Sequence, residues 1–151
     1  MTETPDPAQR SVELTRDATG RYTARNAAGA SVSFGQADGL LSPVELLLAA
    51  IAGCSAIDVD TVTSRRTEPV EFRVEASGRK VVDDGGGNRV EDLHLGFHLA
   101  FADDEAGRQA AGMVDRLVAL SHDKNCTVSR TVEHGTPVGF DVDVRIGDGA
   151  N

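Results

Sequence analysis

The sequence is short of cysteine, short of basic residues and without a long apolar run, and each shortage excludes something. Its 151 residues include only two cysteines, where a disulfide-rich secreted scaffold would carry four or more in a shorter chain. Lysine and arginine number 15 against 24 acidic side chains, a formal net charge of −9. Holding phosphates requires a surplus of cations, so nucleic acid is not an expected partner, and neither is an anionic membrane surface. The longest unbroken apolar run, residues 46–54, is nine residues long, against the roughly 20 needed to span a bilayer. Residues 1–10 (MTETPDPAQR) have neither a basic n-region nor an apolar h-region, so no secretory signal is expected. A cytoplasmic protein is expected. There two cysteines are redox-active, metal-binding or buried rather than a structural crosslink.

What is present describes one globular domain. The hydrophobic share is 40% and the charged share 26%, an ordinary mixture for a folded chain. The polar, proline-bearing residues 1–10 read as a flexible arm, residues 11–147 as a single domain and residues 148–151 as a tail. Period-two alternation at Val12 and Leu14, Tyr22 and Ala24, and Val32 and Phe34 predicts a three-stranded antiparallel meander. Ser42-Pro43-Val44-Glu45 then fits an N-cap serine, a proline at the first helical position and a capping-box glutamate. The helix that follows has no polar face apart from Glu45 up to Cys54, so it is expected to be buried nearly all round, and to run to about Arg65. Two more strands follow, around Val70 to Ala76 and Leu93 to Phe101, joined by a glycine-rich tip. A second helix opens at Asp103-Asp104 and a short third helix near Asn125 ends at His134-Gly135. A last strand carries Val138, Phe140, Val142, Val144 and Ile146. The expected class is α+β with mainly antiparallel sheet.

Chemistry is expected at the cysteines. Cys54 lies mid-helix, where burial alone raises a thiol's pKa and leaves it inert unless a cation is near. Cys126 opens the short third helix, where free backbone N–H groups favour a thiolate. Asp58 lies one turn after Cys54 on the same face and reads equally as a structural or a functional residue. Glu45 falls on the opposite side and is read first as a cap. His94 and His98 share a strand face but stand ~13 Å apart, too far for one ion. His122 and His134 flank Cys126 without zinc-ligand spacing. No metal site is expected.

With these residues in view, the sequence resembles the OsmC/Ohr superfamily of thiol-dependent hydroperoxide reductases. The resemblance is carried by residues 42–59, SPVELLLAAIAGCSAIDV, and by residues 120–128, LSHDKNCTV. It implies an OsmC-like fold, with antiparallel sheets wrapped around the central Cys54 helix in an intertwined homodimer. It further implies that Cys54 is the peroxidatic thiol and Cys126 the resolving one, and that an arginine after a glycine supplies the missing cation. Arg21 fits that place best and Arg25 second. The acid that holds this arginine directly follows the proline in the best-studied members. Here that position is Val44 and the acid is Glu45, and residues 53–58 resemble the YhfA-type branch instead. The implied function is reduction of organic hydroperoxides with an external dithiol reductant and no bound cofactor. The alternative is a non-enzymatic dimer that binds a small ligand or senses redox state.

Overall fold

The computed structural model describes residues 6–146. Residues 1–5 of the expected arm and the expected tail lie outside them. Three antiparallel strands, β1 (Val12–Ala18), β2 (Arg21–Asn26) and β3 (Ser31–Gly35), form the first sheet in that order. Their turns need the left-handed backbone that glycine adopts most readily, at Gly20 (φ 71°) and Gly29 (φ 89°). Tyr22 lies opposite Phe34 in the β2–β3 register, with ring centroids 6.2 Å apart. This sheet packs mainly within itself.

The central element is helix α1 (Pro43–Thr63). Its start is the anticipated capping box. The Glu45 carboxylate accepts from the Ser42 N–H at 2.7 Å, and the Ser42 hydroxyl accepts from the Glu45 N–H at 3.2 Å. The helix ends at Thr63, two residues before the expected Arg65, and by length and apolar composition it could also cross a membrane. It packs against strand β4 (Glu71–Val82) and against the helices that follow strand β5 (Asn88–Ala100). The β4–β5 hairpin turns on Asp83, whose carboxylate accepts from the N–H groups of Gly85 and Gly87.

The second expected helix is two. Asp104 caps α2 (Glu105–Ala111), Gly112 ends it, and α3 (Val114–Leu120) follows. A π-helical turn over Ser121–Asn125 leads to α4 (Thr127–His134), which closes on Gly135 at φ 62°.

Two expectations need correction within the single chain. Helix α1 buries one stripe, Ile51, Ser55, Val59 and Thr63, and leaves Val44 and Ile57 exposed. The expected last strand does not form. Residues 136–146 have no ladder partner among the described residues, and Val138 and Phe140 are 92% and 87% exposed. The alternation is real, but no strand edge among the described residues is laid beside it. The accessible surface is 11797 Å², against roughly 7,400 Å² from the area–mass scaling of folded monomers.

Candidate active site at the two thiols

The two cysteines come from different elements. Cys54 projects from the middle of α1 and is partly exposed. Cys126 is the N-cap of α4 and is fully buried. Its sulfur accepts from the Ser129 N–H at 3.4 Å, and the Ser129 hydroxyl lies 3.1 Å away. A sulfur in the N-cap position faces the unpaired N–H groups of the first turn, which favours negative charge. Both thiols are free, and they lie close enough to shift one another's ionisation.

The π-helical turn aims Cys126. Its five-residue reach, closed by the Cys126 N–H donating to the Ser121 carbonyl at 2.8 Å, adds a residue to the helical turn before α4. Ser121 is buried, and its hydroxyl donates to the Asp58 carboxylate at 2.7 Å. Asp58 therefore ties α1 to the turn before Cys126, which resolves its double reading towards the structural one.

The thiols are unequal. Burial pushes Cys54 up, the neighbouring Cys126 adds to this, and hydrogen bonds from the backbone of Val128 and Thr127 only partly offset it. Burial acts upward on Cys126 too, but hydrogen bonds from Ser129 and Ser55 outweigh it and the net direction is down. The negative charge of a half-ionised pair therefore rests on Cys126, with the proton on Cys54.

Of the residues singled out from sequence, the fold joins Cys54, Cys126 and Asp58. Within one chain it leaves the others elsewhere. Glu45 is held by its own N-cap, which also lowers its pKa. Arg21 is exposed at the start of β2 and makes no ion pair among the described residues. Arg25 donates to the Gly29 carbonyl in its own hairpin. No cluster of three or more metal-ligating side chains occurs among the described residues. Ser55, Ser121 and Ser129 are contributors that the sequence reading missed. Ser129 was open to detection, since an N-cap at 126 places residue 129 where its N–H meets the cap. The Ser121–Asp58 pair spans 63 residues and carries no local signal.

Behind Ser55 and Ser129 opens a cleft of about 620 Å³ between α1, the β4–β5 hairpin, α3 and α4. Leu48, Ile51, Leu95, Phe97, Val118 and Val132 give it an apolar wall.

A family model described as OsmC-like protein matches residues 35–141. An uncharacterised protein of Mycobacterium tuberculosis is 31% identical over 130 residues, covering 84% of this chain and 91% of that protein. The fold is similar to that of a hypothetical protein from Aquifex aeolicus, with a TM-score of 0.66 and 22% identity over 85% of this chain and 89% of that one. It is also similar to the organic hydroperoxide resistance protein OhrB of Bacillus subtilis, with a TM-score of 0.54 and 17% identity over 84% and 92% of the two chains. The family model spans α1, both cysteine segments and the hairpin between them, and so covers the candidate site as well as the scaffold: the chain belongs to the OsmC-like protein family.

Proposed function

We propose that this protein is a cytoplasmic, homodimeric reductase of organic hydroperoxides that works through Cys54 and Cys126. The observation that carries the reading is the proximity of two free thiols 72 residues apart in sequence, one of which accepts a backbone N–H at a helix N-terminus. Family membership and the likeness to a hydroperoxide resistance protein support a role in peroxide stress.

The inequality of the thiols suggests how the proton moves. In the form that reacts, Cys126, the thiol whose pKa is lowered, starts as the thiolate and Cys54, whose pKa is raised, as the thiol. For attack, the proton passes from Cys54 to Cys126, which acts as the general base. The Cys54 thiolate then bonds to the distal oxygen of the peroxide and the O–O bond breaks. The leaving alkoxide takes the proton back from Cys126 and departs as an alcohol, leaving Cys54 as a sulfenic acid. Cys126, again a thiolate, attacks the Cys54 sulfur, hydroxide leaves and a disulfide closes. An external dithiol returns the two electrons by exchange. That first transfer runs uphill, because the hydrogen bonds that favour the Cys126 thiolate make it a weaker base, and a cation from Arg21 or Arg25 of a second copy would ease it by stabilising the Cys54 thiolate.

A second copy is supported by the apolar face of α1, the unpaired residues 136–146 and the excess surface. Asp58, engaged with Ser121, also fits a helix packed in protein rather than lipid.

The test is cumene hydroperoxide consumption with a dithiol reductant. Cys54→Ser should abolish it, while Cys126→Ser should slow the first step by removing the base and leave the Cys54 sulfenic acid that does form unresolved and trappable by dimedone. Equal consumption by wild type and Cys54→Ser would overturn the proposal. The raised Cys54 thiol favours a second reading, a dimer that only binds an apolar ligand, and that reading expects two freely alkylated cysteines after peroxide treatment.

A further inference from the structure

The cleft behind Ser55 and Ser129 has a charge pattern that the thiol chemistry does not use. About 620 Å³ lies within the range of sites for small organic ligands. Its wall is apolar, while three carboxylates, Asp115, Asp123 and Glu133, stand at its mouth with His94 and His122. Among the described residues no lysine or arginine lines it. His122 is already taken up by two of the acids, 2.9 Å from Asp123 and 3.0 Å from Glu133. With both imidazoles protonated, three acids against two cations still leave the mouth negative.

An apolar wall rewards burial of a hydrocarbon chain or ring. A negative mouth without a free cation opposes an anionic head group, because like charges at close range lose affinity that nothing here returns. The buried end of the cleft reaches Ser55 and Ser129, and the Ser129 hydroxyl lies 3.1 Å from the Cys126 sulfur. Neither cysteine lines the cleft itself, but a molecule that fills it as far as Ser129 ends one side chain away from the Cys126 sulfur.

We propose that this cleft binds neutral apolar organic molecules and that Asp115, Asp123 and Glu133 exclude carboxylates such as free fatty acids. Resting on the reductase reading, this makes the substrates uncharged alkyl, aryl or ester hydroperoxides rather than fatty-acid hydroperoxides.

Two unreactive probes of one chain length, decan-1-ol and decanoate, test the site without turnover. Calorimetric titration of the full chain at neutral pH should show decanol binding roughly tenfold or more tighter than decanoate. The double variant Asp115→Asn/Glu133→Gln should narrow the gap to about threefold or less, and 1 M salt should narrow it in the wild type. Cavity-filling Ala76→Phe should weaken decanol, which places it in the cleft. Equal affinities for the two probes, or no binding of decanol, would overturn the proposal. Failure of the reductase reading looks different: decanol binds with the stated preference but no hydroperoxide is consumed. Binding without preference, together with peroxide consumption, overturns the exclusion and leaves the reductase standing.

Discussion

The two halves of this chain treat their apolar and polar groups in opposite ways. Around Cys126 the elements close on one another. Ser121, Ser129 and Thr63 are buried with their hydroxyls bonded, and among the described residues no buried side-chain polar atom lacks a partner. In the N-terminal sheet and residues 136–146 the apolar side chains face outward, Val12, Leu14 and Val32 at one end and Val138 to Ile146 at the other. The first region can be complete within one chain. The second has strand alternation without a ladder, and exposed strand edges seek pairing. With the thiols in the half that packs within one chain and the unpaired strand alternation in the other, an assembly that paired those strands would couple to stability more strongly than to the thiol pair.

The largest expected effect breaks that comparison at the open end. Phe140→Asp/Val144→Asp places two charges where a paired strand would bury two apolar side chains. Losing the burial of both costs several kcal/mol, which for a chain of this size lowers Tm by about 10 °C. Sedimentation should show the dimer giving way to monomer. A monomeric wild type, or a double variant with unchanged sedimentation and Tm, would mean these residues are a tail and the two halves do not differ in this way.

Local order was legible in the sequence and long-range completion was not. The capping box at Ser42 and Glu45, the turn glycines and the Cys126 helix start are decided within four residues, by hydrogen bonds the chain makes with itself. The β4 alternation also reads correctly, with Phe72, Val74 and Ala76 turned inward and Glu71, Arg73 and Glu75 outward. Residues 136–146 carry the same alternation and form no ladder, because alternation states which face is apolar and not which edge lies beside it. The all-round apolar character of α1 is the same kind of signal, since only the stripe of Ile51, Ser55, Val59 and Thr63 is buried within the chain. At the candidate site the sequence singles out both cysteines, yet the inequality between them rests on Ser55 and Ser129, which acquire meaning only once α4 is folded against α1.

A smaller effect sharpens the comparison at the closed end. Ser129→Ala removes the hydroxyl beside the Cys126 sulfur while its backbone N–H remains. Hydrogen bonds to a charged acceptor are worth about 1.5–3 kcal/mol, so the Cys126 thiol should rise by about one pH unit, read from thiolate absorbance against pH in Cys54→Ser. The same truncation in the open sheet, Ser33→Ala, should leave that curve in place. If both variants titrate alike, the serine does not hold the thiolate and the charge on Cys126 comes from the helix start alone.

The smallest expected effect is a pH dependence at the edge of the closed half. His122 bridges Asp123 and Glu133, and the hydrogen bond to Asp123, followed by the Glu133 charge, raises its pKa above the ordinary value. A raised pKa in the folded state means that the protonated imidazole favours folding. Its contribution is complete below the unfolded pKa of about 6.5 and is lost as pH rises through the higher folded value. The side chain is 63% exposed, so solvent and salt screen the pair and hold the gain to that of a surface ion pair. His122→Gln should therefore lower Tm by about 1–2 °C at pH 6 and by nothing measurable at pH 9, and 1 M salt should erase the difference. A Tm difference that grows with pH would have the wrong sign for this bridge and would show that His122 is neutral in the folded chain.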